Sequence, residues 1–320
     1  MQSTVEKSLV QPLFEGPLDT VADVHGEIDA LRNLMGHLGY NSDGIHPKGR
    51  RLVFLGDLTD RGPDSPGVVA FVARCVQKGL AQCILGNHEL NILLRRERQG
   101  NAWFSGQPEE LRDDGPIIPQ KLADEATATA IREFFAGLPL ALERSDLRIV
   151  HACWNAEMIG VAQRATDVVR LHKDHEAVIL AELERNGTTD EVQTNLDLQN
   201  KNPVKVLTSG PETRAETPFE AGGRLRWEKR VPWWNNYRDE PFCVVGHYSH
   251  LLGEQDADGL FSVATNATLG PNKNVACIDF GMAKRWEMRL DHKSDKTKLA
   301  ALRFPERVIV CDDGHQMNVE

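Results

Sequence analysis

An α/β fold is expected of this chain. Short apolar runs rich in Val, Ile, Leu and Phe recur along it, and stretches with helical spacing fill the gaps between them. Each run is followed closely by Asp, Asn or His. The carboxyl end of a buried strand is where open α/β sheets place their sites.

In chain order, Arg51-Leu-Val-Phe-Leu55 precedes Gly56-Asp57, Gln82-Cys-Ile-Leu85 precedes Gly86-Asn87-His88-Glu89, and Leu147-Arg-Ile-Val150 precedes His151. Phe242-Cys-Val-Val245 leads to Gly246-His247, and Val275-Ala-Cys-Ile278 to Asp279. Between them, Asp29 to Leu38 carries Leu31, Leu34, Met35 and Leu38 at helical spacing. Ser65-Pro66 reads as an N-cap with proline at the first helical position, opening a helix through Val76 that Gly79 stops. Strand, helix and strand at these lengths make a right-handed βαβ unit. Residues 97–125, rich in Gly, Pro, Asp and Glu, read as a long loop or lid. Residues 160–240 read as a cap inserted within a single domain spanning 1–320. The cap starts with a helical pattern from Val161 to Arg185, ended by Asn186-Gly187, and includes Pro232-Trp-Trp-Asn-Asn-Tyr237. From Asp279 onward, closing strands and a polar tail are expected.

Composition narrows the partners. The net charge of −10 disfavours a broad basic face for nucleic acid. No apolar run reaches the ~20 residues of a membrane span, and the start lacks the basic and apolar regions of a secretory signal. The six cysteines form no Cys-x-x-Cys pair. Free buried thiols in a reducing cytoplasm are the simplest reading.

The polar residues at the strand ends form one set. Asp23 and His25 lie in Ala22-Asp-Val-His-Gly26, Asp57, Asp60 and Arg61 in Gly56-Asp-Leu-Thr-Asp-Arg-Gly62, and Asn87 and His88 in Gly86-Asn-His-Glu89, with His151 and His247 later. Two Asp, one Asn and three His suit two borderline-hard divalent metals. One carboxylate must bridge them, and Asp57, on the central strand, is the natural choice. Each motif alone is weak, since a lone His is more often a surface or core residue; their joint order is not.

In these motifs the sequence resembles the calcineurin-like metallophosphoesterases. Asp60-Arg61-Gly62 selects the branch with the serine/threonine phosphoprotein phosphatases and the symmetric diadenosine tetraphosphatases. The motifs span residues 23 to 247, and Cys277-Ile-Asp-Phe-Gly281 is similar to the family's closing strand. Three positions depart from the pattern: Ala22 for Gly, His151-Ala-Cys for His-Gly-Gly, and Gly246-His-Tyr for Gly-His-Thr. No ligand is lost by them.

The resemblance implies a sandwich of two mixed sheets flanked by helices. It implies Asp23, His25 and Asp57 on one metal and Asp57, Asn87, His151 and His247 on the other. Manganese is the expected ion, with Fe, Zn, Co and Ni also accepted by such a set. The expected chemistry is in-line hydrolysis by a hydroxide generated between the ions, without a covalent phosphoenzyme. Arg61 would fork onto phosphate oxygens. His88 would be the general acid, oriented by Asp60, and Asn87 would also meet substrate. Glu89 is expected to stabilise its loop. The branch usually has a second phosphate-binding arginine, and Arg214 is the candidate, on a poor motif match.

Trp233, Trp234 and Tyr237 could stack a nucleobase, but packing of the cap onto the core is the expected role. His172 and His175 are expected on a solvated helix face rather than at a second metal. The leading activity is hydrolysis of phosphomonoesters such as phosphoserine or phosphothreonine in protein. The alternative is hydrolysis of a dinucleoside tetraphosphate or another nucleotide. A catalytically silent binding module ranks last, because none of the site residues is missing.

Overall fold

The computed structural model describes residues 7–110, 117–221, 224–252, 260–261, 266–290 and 292–320. β1 (Val10–Pro12) and β2 (Leu18–Val21) lead to α1 (Ile28–Leu38), β3 (Arg51–Phe54), α2 (Ser65–Gln77), β4 (Ala81–Cys83) and α3 (Asn87–Leu93). A hairpin of β5 (Glu109–Glu110) and β6 (Ile117–Ile118) precedes α4 (Glu125–Ala136), β7 (Ala141–Glu143) and β8 (Leu147–Val150). Next come α5 (Ala156–Ala162), α6 (Val168–Arg185), α7 (Glu191–Asn200) and α8 (Pro203–Ser209), then a second hairpin, β9 (Glu212–Ala221) and β10 (Arg224–Arg230). The chain closes with β11 (Phe242–Val245), β12 (Val275–Cys277), α9 (Met282–Leu290), β13 (Ala300–Phe304), β14 (Val308–Cys311) and β15 (Gln316–Asn318).

The strands make two mixed sheets, ordered β15-β14-β13-β2-β3-β4 and β1-β7-β8-β11-β12. In the first, β2, β3 and β4 are parallel and β13 to β15 antiparallel. In the second, β8, β11 and β12 are parallel and β7 runs against β8. The strand period of two explains how the sheets pack. Val53, Ile84, Leu302, Ile149, Val244 and Ala276 meet in one core cluster drawn from both sheets. Their chain neighbours Phe54, Cys83, Ala301, Val150, Val245 and Cys277 lie in a second cluster shared with the helices. Both faces of each sheet are therefore covered, which is why the strands read as continuous apolar runs.

Several expectations shift locally. Asp64, not Ser65, caps α2: its Oδ1 accepts from Gly67 N at 2.7 Å, and Pro66 sits one position further in. Ser65 Oγ accepts from Asp60 N instead, at 2.9 Å. The single pattern from Val161 to Arg185 is two helices, because Asp167 caps a new start by accepting from Arg170 N. Residues 111–116 of the expected lid lie outside the described residues. The described part includes a 3₁₀ turn at Ala102–Ser105, whose Trp103 is fully buried. The closing strands are preceded by a helix, α9, that the sequence reading lacks. Trp233, Trp234 and Tyr237 are buried and meet edge-on, at centroid distances of 6.1 and 5.9 Å. They pack.

His172 is a correction. It lies on α6 but is buried, not solvated, and neither ring nitrogen has a hydrogen-bond partner. Burial, helped by the Arg96 guanidinium, pulls its imidazole down to about 4. The unfolded chain then binds the extra proton between pH 6.5 and about 4. Stability from this site is present at neutral pH and lost as pH falls through that window. Urea unfolding at pH 7 and pH 4.5 should show a smaller drop in His172→Leu than in the natural chain, by about 1–2 kcal/mol. Equal drops would remove His172 from the acid response.

Candidate metal centre

Six expected ligands sit at strand ends. Asp23 and His25 follow β2, Asp57 follows β3, Asn87 opens α3 after β4, His151 follows β8 and His247 follows β11. The two sheets thus contribute from both sides to one edge. Five residues here take positive φ without being glycine: His25 (46°), Asp57 (45°), Asp60 (75°), Arg61 (70°) and His247 (63°). Such backbone persists only where its surroundings over-determine it.

Asp57 is held on every side. Its carbonyl accepts from Val24 N and His25 N, both at 2.9 Å. Its own N–H donates to Glu89 Oε2 at 2.8 Å, and its Oδ1 accepts from His88 N at 3.0 Å. Glu89 also takes N–H bonds from Leu58 (2.8 Å) and Gly86 (3.0 Å). Burial and the nearby Asp57 carboxylate push Glu89 up to about 7. Its role is to clamp the loops, as expected.

The donor atoms converge around Asp57. His25, Asp57 and His88 form one group, and Asp57, His151 and His247 another, with the donor atoms of each within 4.8 Å of one another. Asp57 belongs to both. His151 Nε2 lies 3.3 Å from Asp57 Oδ2 and 3.3 Å from Asn87 Oδ1, and His247 Nδ1 lies 2.8 Å from Asn87 Oδ1. His151 Nδ1 donates to Leu55 O at 2.7 Å and His25 Nδ1 to Thr59 O at 3.1 Å. Those bonds fix the tautomer, so each Nε2 presents a lone pair to the centre. Asp23 Oδ2 accepts from His247 N at 3.0 Å, while its Oδ1 is buried with no partner.

This arrangement fits two divalent cations. An orphaned carboxylate oxygen, lone pairs aimed inward and a shared carboxylate are costly in an empty polar pocket and are satisfied by a cation. Glycine makes the close approach possible at two points. A Cβ at Gly86 would lie 2.2 Å from Asp57 Oδ1, and one at Gly246 2.1 Å from Asp23 Oδ1. Burial tends to raise Asp57, but the surrounding His151, His88 and His25 hold it well below the carboxylate range. Asp23 goes the other way, raised by burial and then by Asp279. Burial pulls His247 down, and Arg230 adds to this.

The expected acid lies beside the centre. His88 Nδ1 is 2.6 Å from Asp60 Oδ2, and Asp60 Oδ1 accepts from the buried Trp103 Nε1 at 2.8 Å. Burial lowers His88, but the Asp57 and Asp60 carboxylates outweigh it and raise its pKa. Arg61 lines the same cavity, of about 1180 Å³. Arg214 does not. It points away and pairs with Asp190 at the surface, so the structure removes it from the site. Arg226, Lys229 and Arg230 of β10 line the cavity instead. Asp279, just past β12, is buried and also lines it. The strand-end rule that found the other ligands marks Asp279 equally well.

Residues 17–275 match the model of the calcineurin-like phosphoesterases. The chain belongs to this family. Calcineurin-like phosphoesterases are metallophosphoesterases, a family of phosphoric ester hydrolases. The chain is similar to bis(5'-nucleosyl)-tetraphosphatase PrpE [asymmetrical] of Bacillus velezensis, at 34% identity over 167 residues, covering 49% of this chain and 64% of that protein. The PrpE protein of Oceanobacillus iheyensis is 45% identical over 162 residues, again covering 49% and 64%. The matched segments thus span under two thirds of those relatives. A cold-active protein-tyrosine phosphatase of a psychrophilic Shewanella has the same fold, with a TM-score of 0.50 and 16% identity over 100% of this chain and 85% of that one. No helix among the described residues is long and apolar enough to cross a membrane.

Two substitutions test the centre. Asp57→Asn should lose both metal ions and activity, read by elemental analysis after dialysis; two retained ions would refute the bridge. Glu89→Gln should weaken metal binding about 10–100-fold by loosening the loops that carry Asp57 and Asn87, read by calorimetric titration. Unchanged affinity would reduce Glu89 to a fold residue.

Proposed function

We propose that the protein hydrolyses dinucleoside polyphosphates, of which diadenosine tetraphosphate is the model substrate. One observation carries this reading. The cavity that holds the metal ligands and Arg61 is also lined by Arg226, Lys229 and Arg230 of β10 and by Lys284 of α9, beside the acidic Glu216, Glu228 and Glu287. A phosphoserine or phosphothreonine side chain carries a single phosphate and has no need of so many cations. A chain of several phosphates matches several cations in one cavity. The tetraphosphatase relatives support the same choice between the two substrate classes the sequence left open. The six cysteines are free and buried, which suits work in a reducing cytoplasm.

The residues divide the work as follows. Asp23, His25 and Asp57 would hold one divalent ion, and Asp57, Asn87, His151 and His247 the other; manganese suits this Asp, Asn and His set. When bound, the ions supply positive charge to the phosphoryl oxygens and acidify water in the cleft. Arg61 grips the phosphate with its planar fork. Arg230, close enough to depress His247 and 5.5 Å from the Tyr248 ring, takes the place first sought in Arg214. His88 delivers a proton from Nε2 to the departing oxygen, while Asp60 and Trp103 fix the ring through Nδ1.

His88→Ala should lower kcat by about 10²–10³ with metal content unchanged, as loss of a general acid would. Collapse of metal content would make His88 a ligand instead. The substrate class is tested with manganese-loaded protein on diadenosine tetraphosphate and on a phosphothreonine peptide, side by side. Cleavage of the dinucleotide with little peptide turnover supports the proposal. Turnover of the peptide alone overturns it.

A further inference from the structure

Trp233, Trp234 and Tyr237, the aromatic residues that stood out in the sequence, are buried in the core and unable to meet a ligand. Two aromatic side chains besides the histidines line the cavity among the described residues, Phe219 on β9 and Trp286 on α9, and Trp286 offers the larger flat surface. This helix was not legible in the sequence, and five of its residues, Ala283, Lys284, Trp286, Glu287 and Met288, line the same cavity as Asp23, His25, Asp57 and Arg61.

α9 is fastened at three points. Arg289 reaches both oxygens of Glu27, at 2.6 and 2.5 Å, and Glu27 is buried immediately after the His25-Gly26 turn. Arg285 donates to Asp312 at 2.6 Å and to Thr297 O at 2.6 Å. Arg61 Nη1 donates to Ala283 O at 3.5 Å, a long contact between the phosphate-binding arginine and the first turn of α9. Forked arginine–carboxylate pairs fix geometry as well as charge. The helix therefore keeps a set position relative to the ligand loop.

The Arg289 guanidinium lies over the Trp286 ring at 4.9 Å. Arg289 does not line the cavity, whereas Trp286 does, so the indole stands between the cation and the open space. A half-covered, anchored indole beside a lysine is suited to a flat π-system that carries phosphate. Lys284, one position beyond Ala283 and exposed, lines the same cavity as Arg61 and Trp286.

We infer that α9 is the specificity element of this enzyme: Trp286 stacks the base of one nucleoside, and Lys284 holds the phosphates between that base and the scissile bond. The inference rests on the dinucleotide reading above. It assigns the base platform to a helix on the carboxyl side of the last metal ligand.

The test compares kcat/KM for diadenosine tetraphosphate and for p-nitrophenyl phosphate in the metal-loaded natural protein, Trp286→Ala, Trp286→Phe and Lys284→Ala. The ratio of the two should fall about 10–100-fold in Trp286→Ala, mainly through KM for the dinucleotide, and recover in large part in Trp286→Phe. Lys284→Ala should lower the ratio about 5–10-fold. Equal losses on both substrates in Trp286→Ala would mean that the ring only supports the fold, and would overturn the inference. An unchanged ratio would overturn it too while leaving the dinucleotide activity standing. A natural protein that turns over p-nitrophenyl phosphate but no dinucleotide would overturn the substrate reading, and the inference with it.

Discussion

Almost every feature of the site is tied to the peptide and carboxylate of Asp57. Its carbonyl accepts from the loop after β2, its N–H donates to Glu89 on α3, and its side chain takes the His88 N–H while facing His25 and His151. Three loops from one sheet are knotted at this residue, and the other sheet supplies His151 and His247 to the same carboxylate. Asp57 holds a positive φ throughout. The surroundings can impose that backbone because each of its polar groups already has a partner.

This constraint explains why the sandwich matters for chemistry. A single sheet would present its ligands in a row. Two sheets packed through Val53, Ile149, Val244 and Ala276 bring their carboxyl ends to a common edge, so ligands arrive from opposite sides of Asp57. Glycines at 86 and 246 let backbone pass against the carboxylates of Asp57 and Asp23. The unpartnered Asp23 Oδ1 is then the polar group that cations would complete.

The parts of the molecule legible in the sequence are those governed by short-range rules. Buried parallel strands are apolar throughout, so β3, β8 and β11 showed themselves as runs, and their ligands followed by position. Local competition was harder to read. Ser65 and Asp64 are both good caps, and the choice between them depends on Asp60, whose N–H claims the Ser65 hydroxyl. Arg214 and Arg230 lie only two pairs apart near the open end of the β9–β10 ladder, Arg214 opposite Glu228 and Arg230 opposite Glu212, and only the fold decides which lines the cavity. The aromatic run at Trp233 was expected to pack rather than to bind, and its bulk fills the core. α9 mixes four charged residues with five apolar ones, and three of its contacts, to Glu27, Arg61 and Asp312, are distant in sequence. No local periodicity encodes them.

The most direct measurement is anomalous diffraction from crystals of the protein loaded with manganese. The account predicts two peaks, about 3.5–4 Å apart, on either side of the Asp57 carboxylate, with His25 beside one and His151 and His247 beside the other. A single peak, or two peaks that do not share Asp57, would contradict it.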